Sequence, residues 1–290
     1  MEIFLILIIL IIFAVILIII ESIIEMKKLK ITEYNINHSK LPKEFRDFKI
    51  ILISDMHNCF YNNEKIINCI KEHKPNCVII SGDMLVYGSN QMEDNIKSLK
   101  FIEEISLYSD VYYAPGNHEM GYMIKDINQW NEYEEILLNS PNDNIYYLDN
   151  KSLKLTRNDS SMWIYGLHLT DGYYKRFIKK KLDVDDINRV LGESKDNDFN
   201  ILIAHNPDYF KIYSKWGANV TLSGHNHGGL VRLPLLGGLI SPRLRLFPKF
   251  DYGKFYNYED VLILSGGLGA HSLKIRFNNK PELVIINLNS

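Results

Sequence analysis

Nine histidines are scattered through 290 residues, and five of them sit in short polar runs that follow β-branched stretches. The densest run is Ser223-Gly224-His225-Asn226-His227-Gly228-Gly229, directly after the β-like Ala218-Asn219-Val220-Thr221-Leu222. Two imidazoles at i and i+2 on an extended loop can point into one cleft and reach two different metal ions. The flanking glycines carry no Cβ to keep the backbone away from a ligand. Asp55 and His57 repeat that spacing after Ile50-Ile51-Leu52-Ile53-Ser54 and could chelate one ion. Gly82-Asp83 puts a carboxylate just past a strand end, where it could bridge two ions. Gly116-Asn117-His118-Glu119 offers an amide oxygen and an imidazole, and Ala204-His205-Asn206 a further imidazole. Mixed oxygen and imidazole ligands suit Mn, Fe, Zn or Ni and need no thiolate.

Each run alone is weak, because Asp-x-His arises by accident and Gly-Asp commonly caps a helix. Five of them, each ending a β-like run, form a set. Asp55, His57, Asp83, Asn117, His205, His225 and His227 suffice for two divalent metal ions sharing one bridge. Two such ions roughly 3.5–4 Å apart clamp a phosphoryl group and generate a hydroxide at neutral pH. His118 is left beside a ligand, able to act as a proton donor.

The elements that must position these residues are short. Strand-like runs cover Lys49–Ser54, Cys77–Ser81, Val111–Ala114, Met162–Leu167, Asn200–Ala204, Asn219–Leu222, Val261–Ser265 and Leu283–Leu288. Helices are expected at Asn63–His73 and Gln91–Tyr108, and an edge strand at Leu29–Ile36. Alternation of this kind argues for a layered α/β fold. Continuously apolar strands should be buried on both faces.

The order, spacing and surroundings of the runs resemble the calcineurin-like metallophosphoesterase superfamily, marked by Asp-x-His, Gly-Asp, Gly-Asn-His, a solitary His and Gly-His-x-His. Leu41-Pro42 to Asp55, and Ser223 through Arg276-Phe277 to Pro281-Glu282, resemble a bacterial membrane-associated branch of phosphodiesterases typified by YkuE and YaeI. The resemblance implies a four-layer αββα sandwich with a dinuclear site at the strand C-terminal ends. It also implies that Asp55, His57 and His227 hold one metal, that Asn117, His205 and His225 hold the other, and that Asp83 bridges them. A metal-bridging hydroxide would be the nucleophile and His118 the catalytic histidine, with Glu119 orienting it. Val86 and Leu230 stand where this branch often carries an acidic residue and a glutamine, which bears on substrate contacts and leaves the ligand set whole.

Ile3 to Ile20 is an unbroken apolar run of eighteen residues, about the length that spans roughly 30 Å of hydrocarbon. No Lys or Arg precedes it and no Ala-x-Ala-like site follows, which argues against a cleaved signal peptide. The expected organisation is a transmembrane signal-anchor over 1–22, a juxtamembrane linker and first strand over 23–44, and a catalytic domain over 45–290. Lys27, Lys28 and Lys30 follow the span, so the positive-inside rule puts the domain on the cytoplasmic face of the cell membrane. Net charge is −2, which argues against bulk nucleic-acid binding. Cys59, Cys69 and Cys77 make neither a disulfide framework nor a Cys-x-x-Cys pair.

Taken together, the sequence reads as a membrane-anchored dinuclear phosphoesterase, a phosphodiesterase or a pyrophosphate-cleaving hydrolase, whose substrate is lipid- or nucleotide-linked. A nuclease of the same superfamily and a non-catalytic membrane scaffold are the rival readings. Of the other histidines, His38, His73, His168 and His271 match no ligand position, and only His168 and His271 follow strands. Arg276 could meet a phosphate, Glu282 or a backbone carbonyl. The stretch 230–250, with Arg232, Arg243, Arg245 and Lys249 among Leu, Ile, Phe and Pro, could touch lipid or simply cover the domain.

Overall fold

Ile51 and Ile53 turn one way from their strand and Ile50 and Leu52 turn the other, and all four are fully buried. That is the pleat of a strand covered on both faces, and it recurs through the computed structural model of the chain. The structure describes residues 2–88, 91–175, 180–229, 231–233, 237–240, 246–270 and 275–289.

One six-stranded sheet runs, edge to edge, Lys30–Asn37, Glu282–Asn289, Phe48–Ile53, Cys77–Ser81, Val111–Ala114 and Ile145–Tyr147. Only the pairing of Glu282–Asn289 with Phe48–Ile53 is antiparallel. The other runs Gly253–Asn257, Asp260–Leu264, Val220–Ser223, Phe199–Ala204, Ser160–Leu167 and Lys151–Arg157, with antiparallel pairs only at its two edges. Ile50, Leu52 and Ile79 of the first sheet meet Ile164, Ile201 and Leu222 of the second in a core between the sheets. Helices Asn63–His73, Met92–Ser106 and Ile127–Leu138 cover the outer face of the first sheet through Ile66, Ile102 and Tyr133. Val184–Leu191 and Phe210–Trp216 cover the second through Ile187 and Tyr213. The layers are therefore helix, sheet, sheet, helix, the αββα order expected.

Parallel strands deliver their C-terminal ends to one edge of a sheet, which is where open α/β sheets bind ligands. Strands ending at Ile53, Ser81 and Ala114 do so in the first sheet, and those ending at Ala204 and Ser223 in the second. The five polar runs follow those five ends.

The N-terminal helix covers Glu2–Met26, and its Phe4–Met26 portion is long and apolar enough to cross a membrane. Its foot is docked on the domain. Asn62 Nδ2 donates to the Met26 carbonyl at 2.9 Å, and the Asn279 N–H donates to Glu25 Oε2 at 2.6 Å. The strand Lys30–Asn37 then joins the first sheet beside Glu282–Asn289.

Candidate metal centre

The backbone around the polar runs is bent to aim side chains. Asp55, His57, Asp83, His225 and His227 all have left-handed φ, between 46° and 76°. Non-glycine residues hold that conformation at a cost of about 1 kcal/mol or more each, and such strain collects at functional sites. The loops also pass very close to one another. A Cβ on Gly224 would lie 2.3 Å from Asp55 Oδ2, and one on Gly116 would lie 2.2 Å from Asp83 Oδ1. Glycine is needed at both because the backbone itself lies against a carboxylate.

What the bends produce is two adjoining clusters. Ligand atoms of Asp55, His57 and His227 lie within 4.8 Å of one another, as do those of Asp83, His205 and His225, and the His118 ring falls in a further such grouping with His57 and Asp83. In the first cluster His57 Nε2 and His227 Nε2 approach to 3.2 Å, and His227 Nε2 lies 3.3 Å from Asp55 Oδ1. In the second, His205 Nε2 and Asp83 Oδ2 lie 3.0 Å apart without hydrogen-bond alignment. Asp83 Oδ2 is also 3.6 Å from His57 Nε2, so it stands between the clusters. Asn117 Oδ1 is buried with no hydrogen-bond partner. The structure thus brings together six of the seven residues expected as ligands, and it buries the seventh, Asn117, next in the chain to His118.

This donor set fits divalent ions. Two nitrogens each about 2.1 Å from a shared ion lie roughly 3.0–3.4 Å apart, the separation found between His57 and His227. An orphaned buried amide oxygen such as that of Asn117 is otherwise unfavourable, because a buried polar atom without a partner costs about 1–3 kcal/mol. Electrostatics points the same way. Burial pushes the Asp55 carboxyl up to about 6, with His205 opposing and Asp83 adding to the rise. Burial alone would raise Asp83 too, but His205, His118 and His57 outweigh it and hold that carboxyl well below its usual range. Burial pulls the His205 imidazole down, yet Asp83 and Asp55 prevail and push it up to about 9. Mutual perturbation of this size in a cleft marks a functional cluster.

The surrounding contacts fix individual ligand atoms. Both oxygens of Asp55 accept from the His225 N–H, at 2.9 and 3.0 Å, and Ser54 Oγ donates to Oδ2 at 2.6 Å. His205 Nδ1 lies 2.6 Å from the Ser81 carbonyl, which fixes a proton on Nδ1 and turns Nε2 toward Asp83. His118 Nδ1 accepts from the Tyr87 N–H at 2.9 Å, while its own N–H donates to Asp83 Oδ1 at 2.8 Å. The His118 ring packs edge-on against His57, with centroids 4.6 Å apart.

Glu119 behaves differently from the expectation that it orients the His118 ring. Its Oε2 accepts from the Asp83 and Gly116 N–H groups at 2.9 and 2.8 Å, and its Oε1 from Leu85 N–H at 3.0 Å. It ties the loop of Asp83 to the start of the helix Asn117–Lys125, and reaches His118 through backbone. Glu119→Gln turns one acceptor into a donor aimed at a backbone N–H. We expect a loss of about 1–3 kcal/mol in unfolding free energy, together with lower metal content at Asp83, read by denaturant titration and elemental analysis.

Arg276, 1% exposed, meets backbone carbonyls. It donates to Gly266, Gly267 and Gly269 and holds that loop against Asp55. Its own N–H donates to Ser22 Oγ, so it also links the loop to the N-terminal helix. Val86 is held through its backbone, its N–H donating to Asn95 Oδ1 and its carbonyl accepting from Asn95 Nδ2. His168 pairs with Asp149 at 2.8 Å, His38 lies 3.5 Å from Asp260, and neither joins a ligand cluster. His271, Leu230, Arg243 and Arg245 lie outside the described residues. Tyr174, which the sequence reading passed over, packs edge-on against His225 with centroids 5.2 Å apart. Nothing in its surroundings, Asp171-Gly172-Tyr173-Tyr174, announces that contact.

Residues 48–229 match the family model described as calcineurin-like phosphoesterase. The chain belongs to that family. It is 26% identical to an uncharacterized metallophosphoesterase of Bacillus subtilis, YkuE, over 92% of this chain and 88% of that one. It is 25% identical to a zebrafish (Danio rerio) transmembrane protein with a metallophosphoesterase domain, over 89% of this chain and 57% of that one. It is 24% identical to the UDP-2,3-diacylglucosamine pyrophosphatase LpxG of Chlamydia muridarum, over 91% of this chain and 90% of that protein. This calcineurin-like phosphoesterase is therefore an enzyme that hydrolyses phosphoesters, and its family uses a divalent metal centre.

Proposed function

We propose that the protein is a membrane-anchored, dinuclear-metal phosphodiesterase or pyrophosphate-cleaving hydrolase. The observation that carries this reading is Asp83, whose Oδ2 stands between two trios of ligand atoms, 3.0 Å from His205 and 3.6 Å from His57. Asp55, His57 and His227 would hold one ion and Asn117, His205 and His225 the other, with Asp83 shared. When bound, two divalent ions supply Lewis-acid binding of the phosphoryl oxygens and a hydroxide at neutral pH. The rest belongs to the chain. Asp55 is fixed by Ser54 and the His225 N–H, so its carboxylate is already held in place to receive an ion. His118 takes the Tyr87 N–H on Nδ1, so in the neutral ring the proton sits on Nε2, able to pass to a leaving oxygen. Attack and protonation would then be handled by different groups.

The relative named as a pyrophosphatase supports a pyrophosphate-linked substrate, and the apolar N-terminal helix supports a lipid-linked one. The lysines after the helix support a domain on the cytoplasmic face. Purified full-length protein supplied with Mn should release 4-nitrophenol from bis(4-nitrophenyl) phosphate and lose that activity on chelation. Folded protein that binds two equivalents of metal yet releases no product would overturn the reading. The anchor has its own check: the chain should stay with membranes through alkaline carbonate extraction, and its release into the supernatant would refute the span.

A further inference from the structure

A cavity of about 420 Å³ lies between the foot of the N-terminal helix and the first ligand cluster. Ile23 and Met26 of the helix line it together with Phe60, Tyr61 and Ala270, and so does the candidate ligand His57. Its volume falls within the roughly 300–1,000 Å³ of small-molecule sites. Ile23 is 52% exposed and Tyr61 61%, so the side bounded by them opens outward. The preceding helical residues Phe4 to Phe13 are exposed and apolar. With that stretch in hydrocarbon, Ser22 to Met26 stand at the headgroup level and the opening faces the bilayer surface.

A second cavity, of about 180 Å³, shares no lining residue with the first and is less apolar, with Tyr87, Met120 and Ile124 beside its polar groups. Asn117, His118, Lys125 and Asp171 line it. The cluster is therefore flanked by a mainly apolar cavity at His57, beside the N-terminal helix, and by a mixed one at His118, the proposed proton donor, where the charged groups Lys125 and Asp171 stand.

We propose that the substrate is an amphiphilic phosphoester whose apolar tail occupies the cavity walled by Ile23, Met26, Phe60 and Tyr61, while its polar leaving part lies on the His118 side. This rests on the phosphoesterase reading and on the membrane reading of the helix. The helix is then a wall of the substrate site as well as an anchor, and its docking through Ser22, Glu25 and Met26 sets the shape of that wall.

The test uses the full-length protein in detergent, hydrolysing bis(4-nitrophenyl) phosphate, with ethyl, butyl and octyl phosphate as competitive inhibitors below their micellar concentrations. Each buried methylene supplies up to roughly fourfold in binding, so octyl phosphate should inhibit at least about tenfold more tightly than ethyl phosphate. Ile23→Trp fills the cavity from an exposed position that folding tolerates, and should bring that ratio to about one. Ile16→Trp, on the same helix away from the cavity, should keep the wild-type ratio. Inhibition indifferent to chain length, or a ratio that survives Ile23→Trp, overturns the proposal while leaving the phosphoesterase reading intact. Absence of turnover in the uninhibited enzyme overturns the phosphoesterase reading, and this one with it.

Discussion

Asp83→Asn should strip the enzyme of both metals while leaving it folded. Asparagine tolerates left-handed backbone, and Asp83 sits at φ 54°, so the substitution adds little strain. Its Oδ1 can still accept the His118 N–H, now at 2.8 Å from the carboxylate. What disappears is the negative charge on Oδ2, the atom between the two trios. Loss of a group that merely supports a ligand typically costs 10–100-fold in metal affinity, so a shared ligand should cost at least about a hundredfold at both sites. Elemental analysis and turnover should fall together, with circular dichroism unchanged. Ligands belonging to one trio give the contrast: His227→Ala should empty the Asp55–His57 site first, and His225→Ala the Asn117–His205 site. Retention of two ions in Asp83→Asn would show that the carboxylate is not shared.

Much of the site was legible because parallel strands put chemistry in a fixed place. A short, β-branched apolar run such as Ile50–Ile53 reads as a buried strand, and the polar residues after it then stand at a sheet edge. Five such ends at one pair of edges leave few ways to arrange Asp55, Asp83, Asn117, His205, His225 and His227. The parts that were not legible fail for identifiable reasons. Asn117-His118-Glu119 reads as a loop, yet it is the first turn of the helix Asn117–Lys125, because Glu119 returns to accept the Gly116 N–H. The same bond takes Glu119 away from the His118 ring: adjacency in sequence says nothing about which backbone N–H groups a buried carboxylate will meet. Lys151–Arg157 alternates Leu with Lys and Thr, but as an edge strand it stays half-exposed and lacks the apolar run that marked the others. The sequence does not choose between phosphate, Glu282 and a backbone carbonyl for Arg276, since only the fold brings the carbonyls of Gly266, Gly267 and Gly269 around it.

His118→Ala should lower kcat by about 10²–10⁴, the usual contribution of a positioned general acid, with both metals retained. Metal retention is expected because the six other clustered residues already supply two trios of ligand atoms. The His118 ring stands beside the first trio, edge-on to His57, and its Nδ1 is engaged by the Tyr87 N–H, so the ring is oriented for proton transfer by backbone. Tyr87 is only half-buried, so water can replace the lost acceptor and the fold should survive. The sharper measurement is the dependence on leaving group. A 4-nitrophenolate departs without being protonated, so the variant should lose little on bis(4-nitrophenyl) phosphate and most on an alkyl phosphodiester, whose alkoxide needs the Nε2 proton. Equal losses on both esters, accompanied by loss of an ion, would place His118 among the ligands, in the grouping with His57 and Asp83 that the distances also permit. Equal losses with both ions kept would instead mean that the ring stabilises charge on the phosphoryl oxygens and donates no proton. The two substrates and one metal analysis therefore assign the residue among the three roles its position allows.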